Sequence, residues 1–199
     1  RYFFICQKEH LNNYKLEDRL KFLAPGCVII PIDYITEGAA CTILLAREYI
    51  DNNESLMIAN SDQWVDTNMD NYISQIYDQN LDGIIMTMFA DDPKWSFAKV
   101  GEDDLVTKVV EKEVISNEAT VGIYNFKKGS DFCLAADKMI LENKRVNGEF
   151  YVAPVYNEMI EMGARIGIYN IGSVNNGMYG LGTPNDLELF KKNKISLSF

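Results

Sequence analysis

Through the first ninety or so residues, apolar runs of strand length alternate with helix-length amphipathic segments. Tyr2–Cys6, Cys27–Ile32, Leu56–Ala59 and Asp82–Phe89 read as strands. Between them lie helical segments: Leu11–Leu23 (apolar at Leu11, Tyr14, Leu16, Leu20 and Leu23), Ala39–Ile50, and Met69–Tyr77, with Ile73, Ile76 and Tyr77 on one face. Strands alternating with helices of this length fold as right-handed βαβ units on a mostly parallel sheet. The second half changes character. Ser96–Val100 and Leu105–Glu111 flank the turn Gly101-Glu102-Asp103-Asp104 as an antiparallel hairpin, and Thr120–Phe126 is a further strand. Asp131–Glu142 is expected as a helix capped at Ser130. A helix closes near Glu158–Met162, Arg165–Ile171 is a strand, and Thr183-Pro184-Asn185-Asp186 starts a last helix through Lys192. The expectation is one α/β domain over residues 1–199, mostly parallel with inserted antiparallel strands.

Charge and cysteine usage narrow the chemistry. A formal net charge of −10, with no Lys/Arg cluster, argues against nucleic acid and polybasic membrane docking. The longest apolar stretches, such as Cys27-Val28-Ile29-Ile30 and Gly83-Ile84-Ile85-Met86, fall far short of the ~20 residues of a membrane span. No leader-like segment is seen, so the expectation is a cytoplasmic protein with no membrane partner. Cys6, Cys27, Cys41 and Cys133 lack metal-ligand spacing and read as buried, reduced thiols. The single histidine, His10, leaves no material for His-based zinc sites or a Ser-His-Asp triad. Catalysis would then rest on carboxylates, lysine and a hard metal ion.

Four constellations carry candidate chemistry. Thr36-Glu37-Gly38-Ala39-Ala40-Cys41-Thr42 places small residues where a strand gives way to a helix, which lets a flat ligand approach the backbone; tight packing accounts for it equally well. In Ile58-Ala59-Asn60-Ser61-Asp62-Gln63, Asp62 lies just past the carboxyl end of a strand, where open α/β sheets bind ligands and a carboxylate suits Mg²⁺. An Asx turn is the alternative. Glu111-Lys112 ends a strand with a lysine that could hold a phosphate, although by position alone a solvated lysine is the commoner case. Glu149, in Asn147-Gly148-Glu149-Phe150-Tyr151, could accept hydrogen bonds from sugar hydroxyls or cap the following helix.

The order of these segments, with Pro93–Ala98, Ala119–Tyr124 and Gly182-Thr183-Pro184-Asn185-Asp186-Leu187, resembles the sugar-phosphate nucleotidylyltransferases (NDP-sugar pyrophosphorylases), in particular short members of bacterial capsule and surface-polysaccharide gene sets. The resemblance covers nearly the whole chain. It implies a Rossmann-like nucleotidyltransferase fold and a reaction between an NTP and a sugar 1-phosphate, or a similar phosphomonoester, giving NDP-sugar and pyrophosphate. It also implies roles: Gly38, Ala39 and Asn60 at the nucleotide, Asp62 on Mg²⁺, Glu111 and Lys112 at the acceptor phosphate and sugar, Gly122 lining the sugar pocket, and Glu149 on sugar hydroxyls. A homo-oligomer is compatible with it.

The chain departs from the family pattern in two places. The family opens with a strand and a Gly-rich, triphosphate-binding loop that this chain lacks; an amino-terminally incomplete domain is the expectation. Many members also carry a second metal-binding Asp where this chain has Gly180, which leaves Asp66 as a candidate replacement. Two other readings remain open: a glycosyltransferase of the same fold using Asp62 and Asp66, and a non-catalytic nucleotide- or sugar-binding subunit.

Overall fold

The computed structural model describes residues 1–193. Strand β1 (Phe3–Gln7) leads into α1 (Lys8–Tyr14) and α2 (Leu16–Leu23) and then β2 (Val28–Ile32), which pairs with β1 in parallel from Phe3↔Val28 to Gln7↔Ile32. The single helix expected over Leu11–Leu23 is two. Tyr14 and Leu16 are two residues apart, a spacing that no single helix places on one face. Lys15, at φ +48, resets the register and donates its N–H to Leu11 O. The segment Ala39–Ile50 divides likewise into α3 (Ala39–Leu44) and α4 (Arg47–Ile50).

The chain continues through β3 (Leu56–Ala59), β4 (Gln63–Val65), α5 (Met69–Asp78), β5 (Gly83–Phe89), β6 (Ser96–Val100), β7 (Val106–Glu111) and β8 (Glu118–Phe126). It ends in α6 (Gly129–Leu141), α7 (Val155–Glu161), β9 (Ile166–Val174), β10 (Gly177–Gly180) and α8 (Pro184–Lys192). Strands β4 and β10 are too short to show a period, and the sequence reading missed both. Helix α6 begins at Gly129 with Lys128 as its cap residue, two positions before the expected cap at Ser130. Its first N–H groups need no capping side chain, because Gly129 N donates to Glu54 O and Ser130 N to Asn52 O. Thr183 caps α8 as expected, its hydroxyl accepting from Asp186 N.

Eight strands form the main sheet, in the order β4-β10-β9-β5-β8-β6-β7, with β3 on the free part of β8. Strands β3, β5, β6 and β9 run one way, and β8 and β7 are inserted against them. Alternation along β5 sends Ile85 into one core and Ile84, Met86 and Met88 into the other. The first core packs against α3, α4, α6 and α7 through Ala40, Ile50, Phe132, Val155 and Met159; the second packs against Tyr72 and Ile76 of α5. Phe126 stacks on Tyr156 at 4.6 Å, so the aromatic residues serve packing here.

The β1–β2 pair shares no ladder with the main sheet, yet Phe3, Ile5 and Ile30 pack on the same core as Leu56 and Ile58 of β3. Among the described residues, β1 pairs only with β2 and β3 only with β8, so each keeps one open edge. All four cysteines are free; Cys133 is buried, whereas Cys6, Cys27 and Cys41 are only half-buried, less than expected. Burial pushes the Cys6, Cys41 and Cys133 thiols up, Cys133 to about 11, which leaves them poor nucleophiles. Among the described residues no helix is long and apolar enough to cross a membrane.

Candidate functional site

Strand β8 organises the site. Between Ile85↔Tyr124 and Thr87↔Thr120 its register against β5 slips, and Gly122 sits in the resulting bulge at φ +76. Its carbonyl accepts from Asn60 N at 3.0 Å, which fastens the Asn60-Ser61-Asp62 loop to the bulge. Asn60 fills the space over Gly122: a Cβ there would stand 2.3 Å from Asn60 Nδ2 and 2.9 Å from Gln63 Nε2. Two residues on, the Tyr124 hydroxyl bonds Thr120 at 3.0 Å, and burial raises it to about 12.

Asp62 is exposed past the end of β3. Its carbonyl accepts from Leu181 N at 2.7 Å, and its carboxylate lies against Gly182, where a Cβ would be 2.8 Å from Oδ2. The carboxylate thus occupies the space beside Gly182. The carboxylate is exposed and of the hard-oxygen kind that could hold a Mg²⁺ together with substrate phosphates. Asp66 lies at the far end of β4, four residues from Asp62, or roughly 13 Å at strand rise. The structure therefore separates the two rather than pairing them. The group facing position 180 is instead Asp186, whose Cγ and Oδ2 lie 3.9 Å from where a Gly180 Cβ would stand. Thr183 Oγ1 donates to that Oδ2 at 2.6 Å.

The other side of β8 carries the Glu111-Lys112 pair at the end of β7. Glu111 is buried, with 8 % of its surface exposed, and Ser96 Oγ donates to its Oε2. Burial pushes its carboxyl up, opposed by Ser96 and Lys112 and reinforced by Glu149. Lys112 has φ +58, held by its N–H on Trp95 O at 3.0 Å. Its Nζ donates to Tyr151 Oη at 2.8 Å. Glu149 follows a tight turn, Asn147 at φ +49 and Gly148 at φ +85, closed by reciprocal Val146–Glu149 backbone bonds of 3.0 Å. It does not cap α7, whose cap residue is Pro154.

The Gly38 turn joins this side. Phe150 N donates to Glu37 O at 2.8 Å and Ala40 N to Phe150 O at 3.0 Å. A Cβ on Gly38, at φ +128, would meet Phe150 N and O at 2.5 Å, so only glycine allows this approach. The turn is closed internally by Thr36 and Thr42, whose hydroxyls lie 2.5 Å apart and both bond Gly38 O.

The structure thus gathers the candidates around β8 in two groups: Asn60, Asp62 and Gly122, and Gly38, Ala39, Glu111, Lys112 and Glu149. Sequence reasoning missed Ser96, Tyr151 and Asp186. Each carried the same signal, its place in a segment that carries the resemblance: Ser96 in Pro93–Ala98, Tyr151 in Asn147–Tyr151 and Asp186 in Gly182–Leu187. A separate acidic trio, Glu142, Glu158 and Glu161, has carboxylate oxygens within 4.8 Å of one another. Lys138 and Lys144 already bridge it, so two of its three charges are paired within the protein.

A family model described as nucleotidyl transferase matches residues 6–156. A comparison with curated proteins gives no significant match. Among solved structures, the nucleoside-diphosphate-sugar pyrophosphorylase from Vibrio cholerae is 23% identical, with TM-score 0.79 over 96% of this chain and 80% of that one. A Bacillus anthracis protein assigned as a glucose-1-phosphate thymidylyltransferase is 18% identical, with TM-score 0.68 over 94% and 73%. The inositol-1-phosphate CTP transferase from T. maritima is 13% identical, with TM-score 0.66 over 98% and 73%. At these identities the structural likeness speaks for the Rossmann-like α/β fold, and the family match reaches further. The chain belongs to the nucleotidyl transferase family of enzymes.

Proposed function

We propose that this enzyme transfers NMP from an NTP to a sugar 1-phosphate or similar phosphomonoester, releasing pyrophosphate. The observation that carries the reading is the shared strand: β8 fastens the Asp62 loop at Gly122 and, two residues on, turns Tyr124 toward the Ser96–Glu111 pair beside Lys112. One strand thereby joins a seat for a hard metal to a seat for a phosphate.

In the reaction, an oxygen of the sugar phosphate attacks the α-phosphorus of the NTP. The new P–O bond forms as the bond to the α,β-bridging oxygen breaks, and pyrophosphate leaves with that oxygen. Such transfer needs positioning and charge neutralisation more than a protein nucleophile. Asp62, with Asp186 as the carboxylate facing position 180, would hold Mg²⁺, which would supply charge neutralisation at the phosphates. Lys112 binds the acceptor phosphate as a point charge. Gly38 and Ala39 serve the nucleotide from the turn that packs on Phe150, and Asn60 serves it from the Gly122 side. Gly122 lines the sugar pocket, and Glu111 and Glu149 face the sugar.

We further propose that residues 1–199 form one domain whose sheet is completed by another segment of the same protein. That segment would supply a strand between β1 and β3 together with the triphosphate-binding loop. The support is the pair of open edges over one shared core. The product would serve as an activated donor for surface polysaccharide synthesis in the cytoplasm, a location that the four free thiols suit.

The test is Mg²⁺-dependent pyrophosphate release from five NTPs (CTP, UTP, GTP, ATP, dTTP) across a panel of sugar 1-phosphates, with this chain and with the full-length protein. Activity in the full-length form, lost by at least about 100-fold in Asp62→Ala, is the expected result. Silence of the full-length protein on every pair, with transfer from a nucleotide-sugar to an acceptor instead, would replace the reading with a glycosyltransferase.

A further inference from the structure

Lys112 differs from the two lysines that bridge α6 and its following turn to α7 in what it touches. Lys138 and Lys144 are ion-paired, the first with Glu158 and Glu161, the second with Glu142, Glu158 and Glu161. Among the described residues Lys112 has no ion pair, although Glu111 precedes it and Glu149 is near enough to act on it electrostatically. Its ammonium instead donates to the neutral Tyr151 hydroxyl at 2.8 Å and lies 5.0 Å from the Tyr151 ring centroid. A neutral acceptor fixes an ammonium in space without cancelling its charge, whereas a carboxylate does both. The backbone agrees with this aim. The left-handed φ of +58 is uncommon for a side chain of this kind, and the bond from Lys112 N to Trp95 O sustains it.

Tyr151 is itself fastened. Its neighbour Phe150 is buried, bonds the Glu37–Ala40 turn through both backbone groups, and lies under the Arg145 guanidinium at 4.1 Å. Arg145 in turn pairs with Glu37 and bonds Gly148 O at 3.1 Å. The hydroxyl therefore projects from a strap tied at Phe150 to the Gly38 turn, 39 residues along the chain from the lysine it holds.

We propose that Tyr151 is the positioning residue for Lys112: its hydroxyl holds the ammonium, still charged, for the phosphate of the acceptor substrate. The kinetic consequence rests on the nucleotidyltransferase reading; the contact itself does not. The experiment compares wild type, Tyr151→Phe, Tyr151→Gln and Lys112→Gln in the full-length protein. Lys112 acetylation by acetic anhydride, read by mass spectrometry against Lys99 and Lys108, tests the contact. Tyr151→Phe should label Lys112 several-fold faster at an unchanged unfolding midpoint, Tyr151→Gln, which keeps an uncharged acceptor, should label closer to wild type, and inorganic phosphate should protect. Kinetically, Tyr151→Phe should raise KM for the sugar phosphate about 10-fold, the scale of a hydrogen bond to a charged group, and leave KM for the NTP within about twofold. In the Lys112→Gln background it should add nothing. Unchanged labelling in Tyr151→Phe and Tyr151→Gln, or a kinetic effect undiminished by Lys112→Gln, overturns the proposal. Faster labelling in Tyr151→Phe than in wild type, where the wild-type protein makes no pyrophosphate, upholds the positioning and rejects the nucleotidyltransferase reading.

Discussion

Glu111 and Glu158 are the two buried glutamates among the described residues, and they are buried in opposite ways. Glu158, 1 % exposed on α7, meets Lys138 Nζ at 2.9 Å and Lys144 Nζ at 2.6 Å, with Glu142 and Glu161 sharing the same lysines. Its charge is matched, and the cluster ties α6 and the following turn to α7. Glu111 meets a serine hydroxyl, and its nearest cation, Lys112, points to a tyrosine instead. It has no ion pair among the described residues, and burial drives its carboxyl up against the opposing pull of Ser96 and Lys112. Burial with compensation is scaffolding; burial without it is costly, and such groups gather where chemistry is done.

Substitutions should separate the two. Glu158→Ala breaks a buried pair, but Lys138 and Lys144 are 29% and 40% exposed and can turn to water. We expect a loss of about 3 kcal/mol in urea unfolding, at the low end for buried pairs, with turnover per folded molecule unchanged. A stability change near zero would remove Glu158 from the scaffold. Glu111→Gln should do the reverse: turnover falls about 10-fold or more, while unfolding at neutral pH shows no loss of stability. Full activity in that variant would sever Glu111 from the site.

The pH dependence of stability sharpens the contrast, because the signs are opposite. A raised folded carboxyl means that the contribution of Glu111 is present below its ordinary value and is lost as pH rises through the raised one. Stability of Glu111→Gln relative to wild type should therefore grow from acid toward neutral pH. Glu161, held down by Lys138 first and Lys144 second, contributes above its ordinary value and loses that contribution as pH falls through the lowered one. Parallel curves for wild type and Glu111→Gln from acid to neutral pH would refute the assignment at Glu111. The smallest effect is expected for Glu161→Gln at neutral pH, since the residue is 53% exposed and its ion pairs are screened. Urea midpoints at low and high salt should barely separate it from wild type.

Much of this was legible in the sequence. The strand-helix alternation gave the βαβ half, Gly101–Asp104 gave the β6–β7 hairpin, and Thr183 gave the α8 cap. Asp62, Lys112 and Gly38 stood out because each sits where a period breaks. The missed features share one cause. The start of α6 at Gly129 depends on contacts outside its own segment, and β4 exists because Gly180 pairs with Gln63. Asp66 was the replacement carboxylate offered from the sequence, because nothing local shows that Asp186, on the following helix, folds back to face Gly180.

The sequence by itself determined the elements, their order and the residue types available for chemistry: carboxylates, one well-placed lysine, small residues at a helix start. Those properties live in contiguous residues, where period and composition are sufficient. The tertiary structure decided which carboxylate faces position 180, why Gly122 must lack a side chain, and what Lys112 touches. Each of these depends on a partner brought close by folding, such as Asn60 over Gly122 or Tyr151 on Lys112, and no local pattern encodes the identity of a partner so far along the chain.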